Sequence, residues 1–131
     1  GPADLMITPI VIRSEELREC HRAAEVIAAC VQSLQEPVLV IASADLAHYE
    51  PRESVQQKDA RVIEAITALD PLTAQYQLKQ INSCGLAPIV CVMAAARRLG
   101  ATDAQLVRYG TSADAGGDPQ SATGYAGIII T

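Results

Sequence analysis

The sequence predicts an α/β fold, a mixed β-sheet flanked by helices, and three observations carry that expectation. Helical apolar stripes alternate along the chain with short β-branched runs. Half of the residues are hydrophobic, yet aromatics make up only 3%, with no Trp and no Phe. The core must therefore be aliphatic, and its many alanines let helices lie close to a sheet. Finally, 131 residues suit one domain, 1–131, of ordinary size. Gly1-Pro2 has the form of a protease-cleavage scar and stays outside the fold argument.

The elements follow in order. The nearly continuous apolar run 5–12 reads as a buried strand, with Pro9 placing it at an edge or a bulge. Ser14 and Glu16 open a helix whose stripe is Leu17, Cys20, Ala24, Ile27, Val31 and Leu34, and Pro37 lies just past its end. Val38-Leu39-Val40-Ile41-Ala42 is the clearest strand, because a continuous β-branched run implies burial on both faces. It empties into the polar loop 43–51. A second helix carries Val55, Asp59, Val62, Ile66 and Leu69 on one stripe, and Asp70-Pro71 caps and opens a third. Asn82-Ser83-Cys84-Gly85 forms a turn. The next helix buries Leu86, Ile89, Val90, Met93 and Ala94 and ends at Gly100, after Arg97 and Arg98. Strands at 105–109 and 124–131, neighbours in the sheet, flank a long Gly-, Ser- and Asp-rich loop.

Composition removes several functions. A net charge of −5 argues against nucleic-acid binding, which needs a basic surface to displace counterions from phosphates. No dense Lys/Arg patch seeks an anionic membrane, and no apolar run approaches the roughly 20 residues of a membrane span. No signal peptide is visible, so a cytoplasmic location is expected. Cys20, Cys30 and Cys91 fall in helical patterns and read as reduced thiols serving as small hydrophobes.

Four places could carry chemistry. Asp45-x-x-His48 directly follows the clearest strand, where α/β sheets place their ligands. A carboxylate and an imidazole three residues apart can share one cavity, as metal ligands or as an acid/base pair. Equally, Asp45 can cap a turn and His48 can be a polar loop residue. Asp59 lies on an apolar stripe and needs a donor or a cation if buried; the alternative is a rim position in water. Cys84 precedes a helix, whose N-terminal partial charge stabilises a thiolate, or else it is an inert thiol beside a turn glycine. Asp114 and Asp118, in the 110–123 loop, read more readily as turn formers than as site residues. His21 reads as structural.

Taken together, these segments resemble a known family. Ala42-Ser43-Ala44-Asp45-Leu46-Ala47-His48-Tyr49 is similar to the S-S-D-x-x-H-aromatic stretch of the MEMO family, also called AmmeMemoRadiSam system protein B. Asp59 with Val62-Ile63 and Leu69-Asp70-Pro71 resembles that family's D…I…LDP helix. Cys84-Gly85-x-x-Pro88-Ile89 resembles its C-G-x-x-P-I turn. Tyr109-x-x-Ser112-x-Asp114 and Gly124-Tyr125-Ala126 resemble its closing motifs. Each motif is weak by itself, but four in order at matching spacing are specific. The resemblance runs from about Ile7 to the chain's end and covers only the family's C-terminal half. Ala44 and Ala47 stand where Ser is common in the family, and Ala113 where Gly is frequent.

The resemblance implies a fold related to class III extradiol dioxygenases, which hold non-haem iron. It implies a metal position lined by two histidines and a cysteine. The cysteine falls at Cys84, with Asp45 and His48 as catalytic groups beside it and Asp59, Ser112 and Asp114 lining the site. The two histidines belong to the family's N-terminal half, and His21, in another segment, does not replace them. Iron or copper is the expected metal, since thiolate with imidazole suits both, and no nucleotide cofactor is expected. The implied activity is oxidative chemistry on a small molecule, with a site incomplete in this chain. The alternative is a non-catalytic binding or scaffold module for a phosphotyrosine peptide or a protein partner. The acidic charge disfavours it, and Arg52 and Arg108 are the nearest basic residues to the cleft. A half-fold exposes an apolar face, so a homo-oligomer or association with the missing N-terminal half is expected.

Overall fold

The computed structural model describes residues 5–81 and 83–131. Its elements run α1 (Leu17–Ser33), β1 (His48–Glu50), α2 (Arg52–Thr67), α3 (Pro71–Lys79), α4 (Leu86–Arg98), β2 (Ala104–Thr111), a 3-10 turn (Ser112–Ala115) and β3 (Ala122–Ile130). The fold is mixed α/β. Its sheet, however, is antiparallel throughout rather than mixed, with three strands in the order β1-β3-β2. The expected pairing of the last two strands holds. β2 and β3 run side by side from Ala104↔Ile130 to Thr111↔Gly124, with a bulge between Leu106 and Arg108.

Two expected strands are absent. Neither 5–12 nor Val38-Leu39-Val40-Ile41-Ala42 is a strand, and most of their apolar side chains face water, Leu39 being 81% and Val11 85% exposed. The reason is a missing neighbour: β-propensity expresses itself only where another backbone takes up the strand's hydrogen bonds. Among the described residues, no backbone hydrogen bond involves 38–42. In turn, His48–Glu50, expected to lie within a loop, forms the short β1, because Ala122 and Thr123 of β3 offer it an edge.

The helices match their patterns more closely, since an α-helix satisfies its own backbone. α1 buries Cys20, Ala24 and Ala28, while Leu34 at the end of the expected stripe is exposed. Ala24 packs with Cys91, Ala94 and Ala95 of α4; small side chains on both helices permit the close approach. α2 buries Val55, Asp59, Val62, Ala65 and Ile66. Asp70 caps α3 by accepting from the backbone N–H of Leu72 and Thr73, with Pro71 in the first turn. α4 buries Leu86, Ile89, Val90, Met93 and Ala94 as its pattern requires. Asn82, the first residue of the expected turn before α4, lies outside the described residues, as do Gly1 and Pro2.

One principal core joins these elements. Val62, Ile66, Leu78, Leu86, Val90 and Met93 fill it, and Tyr109, Ala126, Ile128 and Ile130 pack against it from the sheet. β3 therefore turns alternate residues to the helices, while Tyr125 and Ile129 on its other face stay about half exposed. Cys20 and Cys91 act as small core hydrophobes, and burial raises both thiols, Cys91 to about 11. Cys30 departs from that expectation and is exposed. Among the described residues, no helix is long and apolar enough to cross a membrane.

Leu78 is 1% exposed at the centre of the core. Leu78→Ala removes packed methyl groups without room to collapse, so urea denaturation should show a loss of about 2–5 kcal/mol.

Candidate functional site

The residues singled out by the sequence converge on the segment 44–48 and the turn before α4. Two contacts bring them together. Ser83 Oγ donates to the Asp45 carbonyl at 2.9 Å and accepts from the Gly85 N–H at 3.0 Å. Gly85 also comes so close that a Cβ there would lie 2.7 Å from the Ala44 Cβ and 2.9 Å from the Asp45 carbonyl oxygen. The Asp45 backbone is thus held against the Ser83-Cys84-Gly85 turn, and the Cys84 side chain between the two holding residues remains exposed.

The other end of the segment is held by β3 and α2. Leu46 N–H donates to the Gly124 carbonyl, and Gly124 N–H donates to the Ala47 carbonyl at 2.9 Å. His48 then pairs with Thr123. Beneath this clamp lies the wholly buried Asp59. Its Oδ1 accepts the Ala47 N–H at 2.9 Å, and its Oδ2 accepts the Tyr109 hydroxyl at 2.7 Å. Of the two readings of Asp59, the buried one is correct, and its donors are a backbone amide and a phenol. Burial raises the Asp59 carboxyl above its ordinary range, opposed by the hydrogen bonds from Ala47 and Tyr109. Burial and the neighbouring Asp59 raise the Tyr109 hydroxyl strongly, so it stays protonated and donates.

Gly124 completes the arrangement by absence of a side chain. A Cβ there would fall 1.7 Å from Asp59 Oδ2 and 3.1 Å from the Tyr109 hydroxyl. A glycine inside a strand is the one signal in the sequence that announces such a close approach. The role of Tyr109 as the donor to Asp59 has no local signal, because 50 residues separate the two.

His48 lies between this clamp and an exposed surface. Its ring meets that of Tyr49 edge-on, with centroids 4.6 Å apart. Tyr49 adopts φ 63°, a left-handed conformation rare for an aromatic residue, at the irregularity between His48 and Glu50. Just beyond, Lys58 and Ser54 hydrogen-bond to Glu50 and hold its carboxyl below the usual range.

Ser112 and Asp114 sit further along and serve their own loop. Ser112 Oγ accepts the Thr123 N–H at 3.0 Å. Asp114 Oδ2 accepts from the backbone N–H and the hydroxyl of Thr111, which lowers its carboxyl, and its Oδ1 pairs with Arg52. Asp118 accepts the Gln120 N–H, as a turn former does. Arg52 is thereby engaged, whereas Arg108 on β2 is exposed. Among the described residues, no group of three or more His, Cys, Asp or Glu side chains is arranged to hold a metal ion.

These features define the chain as an α/β protein in which the segment 44–48 is held between the turn before α4 and the small antiparallel sheet. It belongs to the Memo-like protein family, which matches residues 3–129. The MEMO1 family protein of Methanopyrus kandleri is 34% identical over 124 residues, 93% of this chain and 44% of that protein. That of Methanococcoides burtonii is 35% identical over 130 residues, 98% of this chain and 49% of its own length. That of Methanocaldococcus jannaschii is 35% identical over 130 residues, 98% and 45%. The chain spans under half the length of these relatives.

Two measurements test the clamp. Gly124→Ala forces a methyl group onto the Asp59 carboxylate and should lower stability by about 1–3 kcal/mol, the usual cost of overpacking, in a denaturant titration. The second is a comparison of the parent with Asp59→Asn across pH. The folded carboxyl of Asp59 is raised above the ordinary 3.8, so the proton is held more tightly in the folded state. The parent's stability relative to the variant should be greatest below 3.8, fall as pH rises through the raised value, and level off above it.

Proposed function

We propose that this chain forms one wall of a metal-dependent redox site of the non-haem, dioxygenase-like kind, acting on a small molecule. In this reading Cys84 is the thiolate that contacts the metal. His48 moves a proton to or from the substrate, and Asp45 lies beside it as the orienting carboxylate. The observation that carries the reading is the contact between Ser83-Cys84-Gly85 and Asp45. It sets the one exposed thiol outside α1 next to the segment that ends in His48. The buried thiols Cys20 and Cys91 are ill suited to metal, since burial disfavours their thiolates.

Among the described residues no three His, Cys, Asp or Glu side chains gather to hold a metal ion, so this reading needs further ligands from outside them. What these residues supply is geometry. Asp59, through Ala47 N–H, and Gly124, through the carbonyl and amide bonds to Leu46 and Ala47, fix the backbone between Asp45 and His48. A proton-transfer group must be held within hydrogen-bond reach of its substrate, and a loop fixed by buried bonds does this better than a free one.

The test is titration of the chain with Co(II), reading the thiolate-to-metal absorption in parallel samples of the parent, Cys84→Ala and Cys30→Ala. Weak binding with a thiolate band is expected, lost in Cys84→Ala and kept in Cys30→Ala. A band that survives loss of Cys84, or no band in the parent, would remove Cys84 from the site.

A further inference from the structure

β1 carries one residue more than the stretch of β3 it pairs with. His48 lies opposite Thr123 and Glu50 opposite Ala122, so Tyr49 is the extra residue of a bulge. Its φ of 63° is left-handed, a conformation that glycine adopts freely in such bulges and an aromatic residue seldom does. Consecutive residues of a regular strand point their side chains to opposite faces of the sheet. Here the rings of His48 and Tyr49 meet edge-on instead, with centroids 4.6 Å apart and planes at 62°. The irregular backbone is what brings one ring against the other.

The bulge is held from both ends. On the His48 side, the Gly124 N–H donates to the Ala47 carbonyl at 2.9 Å. On the other side, the Glu50 carboxylate accepts from Lys58 Nζ at 2.6 Å and from Ser54 Oγ at 2.7 Å, both on α2. Just beyond, the Arg52 N–H donates to the Pro119 carbonyl at 2.8 Å. Fixed at both ends, the chain keeps Tyr49 in a backbone region that costs it free energy. Bulges recur next to functional sites, where they re-aim a side chain, and this one directly follows the imidazole. Glycine would make the same turn without strain, so the turn does not account for the tyrosine. The contact of its ring with His48 does, since edge-on ring pairs attract at this separation.

We propose that Tyr49 is a positioning residue for His48. The bulge lays its ring against the imidazole, and the ring holds that imidazole in one rotamer. The bonds from Asp59 and Gly124 fix where the His48 backbone lies; Tyr49 fixes where the side chain points. A proton-transfer group must sit within hydrogen-bond reach of its substrate, so its orientation matters as much as its place. The role rests on the reading of His48 as the group that moves a proton. The ring contact does not depend on Cys84, so the two proposals fail separately. A missing Cys84 thiolate band leaves the orientation of His48 as it is, and a freely rotating His48 leaves Cys84 in place.

Imidazole NMR on this chain, without added metal, tests it. The sequence has two histidines, so His21 on α1 serves as the internal reference. In the parent, side-chain couplings of His48 should report one dominant rotamer, with its ring protons shifted by the Tyr49 ring current. Tyr49→Phe keeps the ring and should keep both signatures. Tyr49→Gly keeps the left-handed backbone without strain and removes the ring. It should melt cooperatively and shift the His48 rotamer ratio by roughly 2- to 13-fold, the size of one lost aromatic pair, while His21 stays unchanged. If the glycine variant does not melt cooperatively, Tyr49→Asn, which also tolerates the left-handed region, takes its place. An unchanged rotamer ratio in a folded variant without the ring would overturn the proposal, as would rotamer averaging of His48 in the parent. Loss of the signatures in Tyr49→Phe would assign them to the hydroxyl and overturn it too. Failure of both ring-free variants to fold would make Tyr49 a residue of the fold and count against a positioning role.

Discussion

A carboxylate buried beneath the sheet organises this protein. Asp59 projects from α2 into the space between two strands and receives one hydrogen bond from Ala47 and another from Tyr109. An isolated charge in that position would be costly. Each of its partners comes from a different part of the chain, so satisfying the one group fixes three elements: α2, the segment before β1, and β2. Gly124 of β3 closes against the same carboxylate with no room for a side chain. The sheet, the helix beneath it and the segment 44–48 therefore meet at one polar point inside a largely aliphatic core.

The contrast with the rest of the core is one of specificity. Val62, Leu78, Val90 and Met93 contribute burial, which is strong but indifferent to direction. The small residues between α1 and α4 set how closely those helices approach, not where a loop must lie. Hydrogen bonds to a buried acceptor are directional, and a wrong register leaves a buried group unpaired. The segment bearing Asp45 and His48 is accordingly fixed by the polar cluster and by the Ser83 and Gly85 contacts. The ion pairs Arg52–Asp114 and Arg98–Glu25 are direct but exposed, so solvent screening leaves them little to add.

How much could be read in advance depended on the range of the interaction involved. The α1, α2 and α4 stripes, the Asp70-Pro71 start of α3 and the β2–β3 pairing were legible because they rest on neighbours in sequence or on a simple hairpin. The 38–42 strand was equally strong as a pattern and is absent as a structure, because a strand is a property of two backbones. The candidate site was legible as a set of residue types. Asp45, His48, Asp59 and Cys84 all drew notice as polar groups in unusual places, and their motifs resemble one family, to which the chain belongs. Their relation to one another was not legible. Ser112 and Asp114, read as lining the site through that resemblance, spend their oxygens on Thr123, Thr111 and Arg52.

By itself the sequence determined the helices, their buried faces, the acidic surface and the chemical identity of the site residues, all consequences of local spacing and composition. The tertiary structure alone decided that Asp59 is buried and bonded to Tyr109, that Gly85 and Gly124 are needed for close approach, and that 38–42 stands beside an open edge of β3. Those outcomes depend on which backbone amides and hydroxyls arrive from distant parts of the chain. A buried acceptor and an unpaired strand are both defined by the partner that reaches them, and no local pattern names that partner.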